Sequence, residues 1–223
     1  LALIRAMPPA YPPGAQTRYS DSNYILLGFV VERVTGRPAA EVIADRVIRP
    51  LGLNGTTFPT TPDMPPPFMR GYAAPNPGDP LRDVTRSNPN VAWTAGAMIS
   101  ALDDLRVWAK ALAVGTLLSP AMQRERLTWN RFASPSFDVG YGLGVLQING
   151  LIGHNGGILG YSSWMLYDPD SGFTLVAVTN RAATEGGTAD PIFYGIARLL
   201  LPDRFPPLTA TPAASPSAAT PVA

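Results

Sequence analysis

The stretch Tyr19-Ser20-Asp21-Ser22-Asn23-Tyr24, running on into Ile25-Leu26-Leu27-Gly28-Phe29-Val30-Val31, decides how the rest of the chain is read. A polar hexapeptide with two phenols and a carboxylate sits directly before a long apolar run. Leu26, Leu27, Val30, Val31 and Val34 recur at helical spacing and Gly36 supplies a stop. The spacing predicts a helix over residues 22–35, capped by Ser22 or Asp21. Reactive side chains at the mouth of a rigid element are held in position, as one wall of a hydrolase site must be. Ser22 and Asn23 themselves read as capping groups rather than catalysts.

Working outward, Pro38 opens a second predicted helix over 38–48, with Val42, Ile43 and Val47 inward, and Pro50-Leu51-Gly52-Leu53 closes it. Residues 54–92 are rich in Pro, Gly, Asn and Asp and read as one long irregular excursion. Ser100-Ala101-Leu102-Asp103 reads as a capping box before a helix carrying Leu102, Leu105, Trp108, Ala109 and Leu112. Ser119-Pro120 starts another helix. Tyr141 to Ile148, Ser162 to Tyr167 and Phe173 to Thr179 are β-rich runs. The last two are joined by the hairpin loop Asp168-Pro169-Asp170-Ser171-Gly172. A closing helix is expected over 188–201. On the N-terminal side, Pro8, Pro9, Pro12, Pro13 and Gly14 make residues 1–18 an extended loop. The expected architecture is mixed α/β: an antiparallel sheet flanked by helices, with a helical lobe before the strands. One domain is expected over 1–205, followed by a disordered Pro/Ala/Thr/Ser tail over 206–223.

Bulk composition removes whole classes of function. A net charge of +1 over 223 residues argues against a nucleic-acid or anionic-membrane partner. No apolar run reaches the length a membrane span needs. With no cysteine there is no disulfide, thiolate nucleophile or cysteine metal site. A single histidine, His154, cannot build a two-histidine zinc site, and no phosphate-binding glycine loop is present, so no metal and no cofactor is expected. The four tryptophans read as core or cleft lining.

Two polar constellations remain: Tyr19-Ser20-Asp21 before the first long helix, and His154-Asn155-Gly156-Gly157 before a strand. Between them stand Asn23-Tyr24-Ile25-Leu26-Leu27-Gly28, Val34-Thr35-Gly36, Pro50-Leu51-Gly52-Leu53, Ala95-Gly96-Ala97-Met98-Ile99-Ser100 and Tyr141-Gly142-Leu143-Gly144. In this order the segments resemble the serine β-lactamase and penicillin-binding-protein superfamily, in the branch of class C β-lactamases, D-alanyl-D-alanine carboxypeptidases and related esterases. Tyr19-Ser20-Asp21 matches the family's Y-x-N motif and His154-Asn155-Gly156 its K-T-G or H-x-G motif, over roughly residues 10–200.

The resemblance implies an acyl-enzyme hydrolase acting on a small-molecule or peptide substrate, with Tyr19 as proton carrier and His154 across the cleft. It implies substrate contacts from Asp21, Asn155 and Gly156, and an oxyanion donor in the Gly157 amide. A phenol is a poor base at neutral pH unless a cation lowers its pKa, and the lysine of the family's S-x-x-K motif would be that cation. Here the chain departs from the pattern. Lys110 is the only lysine, and Val107 stands where the serine would be. The nucleophile, its lysine and the family's N-terminal strands are therefore expected to precede Leu1, in an upstream or complementing segment, leaving this chain inactive alone. Asp21 replaces the amide of many relatives, and a carboxylate accepts hydrogen bonds but cannot donate them. That substitution suggests weak β-lactam turnover and a preference for D-amino-acid peptides, amides or esters. A secreted or cell-envelope location follows from the resemblance alone. The alternative is a non-catalytic binding or scaffold relative.

Overall fold

The computed structural model describes residues 2–6, 8–76, 78–134, 136–183, 186–187 and 189–207. In chain order its helices and strands are α1 (Ala2–Ala6), α2 (Asp21–Thr35), α3 (Ala39–Ile43), β1 (Tyr72–Ala73), β2 (Arg82–Asp83), α4 (Leu102–Val114), α5 (Pro120–Arg126), β3 (Asn130–Phe132), β4 (Val139–Tyr141), β5 (Leu146–Ile148), β6 (Leu151–Ile158), β7 (Tyr161–Tyr167), β8 (Thr174–Thr179), β9 (Arg181–Ala183), β10 (Gly186–Gly187) and α6 (Ala189–Leu200). Strands β3 to β8 form a six-stranded antiparallel meander in sequence order. A smaller sheet has the order β10-β9-β1-β2, with β1 parallel to β9.

The meander is covered on both faces because successive side chains of a strand point to opposite sides. Trp164 and Leu166 of β7 enter a core with Phe193 and Ala197 of α6 and with Phe205. Their neighbours Met165 and Tyr167 meet Ala109, Leu112 and Ala113 of α4 on the other face. Trp164 stacks on Phe193 with centroids 4.4 Å apart, and its indole N–H donates to Asp190 at 2.5 Å, so its one polar atom is satisfied. The β7–β8 hairpin is pinned by buried Asp168, which accepts from the Ser171 hydroxyl at 2.6 Å and from Arg204 at 2.8 Å.

This is the mixed α/β architecture expected, with helices on both sides of an antiparallel sheet. The β7 and β8 runs and the closing helix match the reading, with the connection one residue longer than expected, over 168–173. Gly36 ends α2 in a left-handed conformation, and Ser119 caps α5 by accepting from the Met122 amide. Trp164 is buried, and Trp108 and Trp129 pack against the second core.

Other expectations fail locally. Residues 2–6 form α1 rather than extended loop, since the prolines that break a helix begin only at Pro8. The cap of α2 is Ser20, one residue before Asp21 and two before Ser22, and it caps without a side-chain bond. The helix after Pro38 becomes a π-helix over Ala44–Ile48. The capping box does not form: Ala101 is the N-cap, while Ser100 pairs with the Thr56 hydroxyl at 2.8 Å. Asp104, in the first turn of α4, instead accepts from Gly55 N–H and Thr56, so long-range partners replace the local ones. The Tyr141–Ile148 run splits into β4 and β5, because Gly144 turns the chain at φ +71°. Of the tail expected over 206–223, residues 208–223 lie outside the described residues.

Candidate active site

Tyr19 sits in the loop that enters α2 and is 47% exposed, while Asp21 is the helix's first residue. Tyr24 lies one turn further along. Its backbone carbonyl accepts from Thr94 at 2.9 Å, and an added Cβ at Gly28 would come within 2.3 Å of that same threonine hydroxyl. Glycine at 28 is what lets the 93–95 turn press against α2 and fix the direction of its first turn.

The opposite wall is β6. His154, Asn155, Gly156 and Gly157 lie inside this strand and not in a turn before one, which corrects the expectation. Gly153, just before His154, permits the approach of β7: a Cβ there would lie 1.9 Å from the Met165 carbonyl oxygen. β5 pairs with β6 only over Leu151–Gly153, so among the described strands none is hydrogen-bonded to the His154–Ile158 edge on the β5 side. Asn155, Gly156 and Gly157 are exposed there.

The two walls meet in an aromatic cluster. Tyr19 lies 6.2 Å from His154, 5.6 Å from Tyr24 and 5.9 Å from Tyr141, centroid to centroid. Tyr141, at the end of β4, joins the walls through hydrogen bonds of 2.9 Å to His154 Nε2 and 2.5 Å to the Tyr24 hydroxyl. Sequence reasoning missed Tyr24 and Tyr141 as site residues. Both stand in segments already singled out, but only the meander brings Tyr141 to α2.

Electrostatics set the protonation states. Burial, the adjacent Asp21 carboxylate and Tyr24 push the Tyr19 phenol well above its ordinary value. Burial and the Tyr24 phenol, with smaller contributions from Tyr19 and Asp21, do the same to Tyr141. Burial pulls His154 below its ordinary value against an opposing hydrogen bond to the Asn155 carbonyl, so the imidazole is neutral at neutral pH. No cation is among the groups acting on Tyr19, and Lys110 is exposed on α4. Tyr19 and Tyr141 by themselves are protonated phenols beside a neutral imidazole. No group of three or more metal-ligating side chains occurs among the described residues.

The Beta-lactamase family model matches residues 1–197. The chain belongs to the beta-lactamase family. Among solved structures of this family's fold, a D-stereospecific amidohydrolase from Streptomyces sp. superposes with a TM-score of 0.81 at 35% identity, covering 90% of this chain and 59% of that one. The D-amino acid amidase from Ochrobactrum anthropi SV3, in its complex with D-phenylalanine, gives a TM-score of 0.69 at 28% identity, covering 78% of this chain and 54% of that one. A 72-residue stretch is 40% identical to a protein of Escherichia coli (strain K12) provisionally named a D-alanyl-D-alanine carboxypeptidase, covering 32% of this chain and 15% of that protein. The chain thus spans less than two thirds of each of these relatives. No helix among the described residues is long and apolar enough to cross a membrane.

Proposed function

We propose that this chain supplies the tyrosine wall and the β6 wall of a serine hydrolase that cleaves amide bonds of D-amino-acid substrates through an acyl-enzyme. The observation that carries the reading is the meeting of Tyr19 and His154, from distant parts of the sequence, at 6.2 Å within a beta-lactamase-family chain. In this reading the serine and lysine of an S-x-x-K segment come from sequence outside these 223 residues, because none occurs within them. The lysine ammonium lowers the Tyr19 phenol, which its present neighbours raise, far enough for proton exchange. The Tyr19 phenolate takes the serine hydroxyl proton as the serine oxygen bonds to the substrate carbonyl carbon, and the carbon–nitrogen bond of the amide then breaks. The leaving amine departs with a proton delivered by Tyr19, and water hydrolyses the acyl-enzyme by the reverse transfer.

On the β6 side, the Gly157 amide is the oxyanion donor, paired with the nucleophile's own amide. The open His154–Ile158 edge accepts the substrate backbone as an added strand, with Asn155 and Gly156 in contact. Asp21 accepts the ammonium group of a D-amino-acid amide. The D-amino-acid specificities in the names of the two solved relatives support that choice of substrate class. A secreted or envelope location goes with the same reading.

Support for a complementing segment comes from α2. Leu27, Val30 and Val34 are 56%, 54% and 78% exposed, an apolar helix face of the kind that proteins normally cover. β8 is the edge of the meander and carries no charge or proline over Thr174–Thr179 to discourage pairing.

The test is fluorophosphonate labelling of the chain alone and of the chain expressed with the sequence encoded upstream of it, followed by assay on D-phenylalanine amide. Labelling only of the longer protein, with turnover of the amide, is the expected result. Labelling of the chain alone would overturn the assignment of the nucleophile. No labelling of either would favour the alternative that the missing S-x-x-K motif motivates, a non-catalytic binding or scaffold relative.

A further inference from the structure

We infer that Tyr141, backed by Tyr24, is a positioning residue that fixes His154 as the neutral imidazole carrying its proton on Nδ1. His154 Nδ1 lies 2.5 Å from the backbone oxygen of Asn155. A carbonyl oxygen only accepts, so Nδ1 carries the hydrogen. In a neutral ring the other nitrogen is then an acceptor. Nε2 lies 2.9 Å from the Tyr141 hydroxyl, which therefore donates to it. With its proton committed, the Tyr141 oxygen accepts from the Tyr24 hydroxyl at 2.5 Å. The bonds run one way, from Tyr24 to Tyr141 to His154 to the Asn155 carbonyl, and each polarises the next.

An imidazolium would donate at both nitrogens: the Nδ1 bond to Asn155 would stand, but the two phenol bonds through Tyr141 and Tyr24 would have to reverse. The titratable groups that face this cluster are the phenols of Tyr19, Tyr24 and Tyr141 and the carboxylate of Asp21. Asp21 acts on Tyr19 and Tyr141, not on the ring of His154, so among the described residues the imidazole has no carboxylate partner to hold a charge. Three separate elements pin the array. Tyr24 is tied through its carbonyl to Thr94, Tyr141 ends β4, and His154 is registered on β6 opposite Met165.

The tautomer stands on these hydrogen bonds together with the neutral charge of the half-buried ring; its use in catalysis rests on the function proposed above. With both ring nitrogens engaged, His154 offers neither a lone pair nor a proton to substrate. It stands as a fixed wall beside Tyr19, 6.2 Å away from ring to ring.

His154 is the chain's one histidine, so ¹⁵N labelling of imidazole gives a single, self-assigned pair of ring signals. The experiment is a long-range ¹H–¹⁵N spectrum of the full chain at mildly alkaline pH, without substrate, for the parent, Tyr141→Phe and Tyr24→Phe. The parent is expected to show a protonated Nδ1 and an unprotonated Nε2 in one fixed state. Tyr141→Phe should lose that asymmetry and move both signals toward the tautomer average of free imidazole, and Tyr24→Phe should move them part of the way. A parent protonated on Nε2 or on both nitrogens would overturn the inference, as would a folded Tyr141→Phe with unchanged signals. If Tyr141→Phe does not fold, the parent spectrum and Tyr24→Phe decide the matter. Failure of amide turnover would leave the tautomer standing, so the two readings fail separately.

Discussion

Alanine at position 153 should damage this protein through a single atom. The new Cβ would lie 1.9 Å from the Met165 carbonyl oxygen and 2.9 Å from Leu166 Cδ2. Contacts of a Cβ below 3.0 Å are essentially never seen, so the carbonyl must retreat by about 1.1 Å, the difference between 3.0 and 1.9. The obstacle is backbone of the paired strand, so no rotamer change relieves it, and the displacement enters the ladder next to the His154↔Met165 pair. Overpacking of this kind costs about 1–3 kcal/mol, and an immovable backbone obstacle puts Gly153→Ala near the top of that range. Reduced unfolded-state entropy returns only about 0.4–1 kcal/mol. A net loss of about 2 kcal/mol corresponds to a Tm lower by about 4–8 °C in a domain of this size. Gly157→Ala is the matched control on the same strand, since a Cβ there meets nothing within 4 Å. It should be neutral or more stable by up to about 1 kcal/mol. Urea unfolding followed by tryptophan fluorescence measures both. Losses within about 0.5 kcal/mol of each other would refute the steric account of the β6–β7 approach.

Phe193→Ala removes a fully buried ring stacked on Trp164 and should cost about 3–5 kcal/mol in urea unfolding, with Phe193→Leu costing much less. Burial pushes the Asp168 carboxyl up, but the Ser171 hydroxyl, the Arg204 guanidinium and the Asp170 amide outweigh it and hold the carboxyl below its ordinary range. Its stabilisation is therefore full above the unfolded value of about 3.9 and is lost as pH falls through the lower native value. Asp168→Asn should flatten that acid limb in stability measured against pH. Asp21→Asn removes a negative charge that raises the Tyr19 phenol and leaves a weaker, neutral acceptor in its place, so the pKa should fall. It should stay above the ordinary value because burial, the largest cause, persists; ¹³C NMR of labelled tyrosine reads it, and an unmoved Tyr19 resonance would remove Asp21 from the site.

What could be read from one dimension was local. The apolar spacing over residues 26–34 and the left-handed stop at Gly36 specify α2 wherever it packs. The β-rich runs 162–167 and 173–179, joined by a turn of Asp, Pro, Ser and Gly, specify the β7–β8 hairpin. The ordered pair of polar motifs singles out Tyr19 and His154 as candidates, because motif spacing survives in sequence, and the fold brings their rings to 6.2 Å. The same local reasoning misplaced the α4 cap, since Ser100 and Asp104 find partners some forty-five residues away at Thr56 and Gly55. Only the tertiary structure decides that His154 belongs to a strand, because the approach of β7 at Gly153 is a backbone contact that no side-chain pattern reports. Only the tertiary structure brings Tyr141 between Tyr24 and His154. Hydrogen-bond direction along that chain depends on which groups meet, and which groups meet is set by the register of the meander against the first turn of α2.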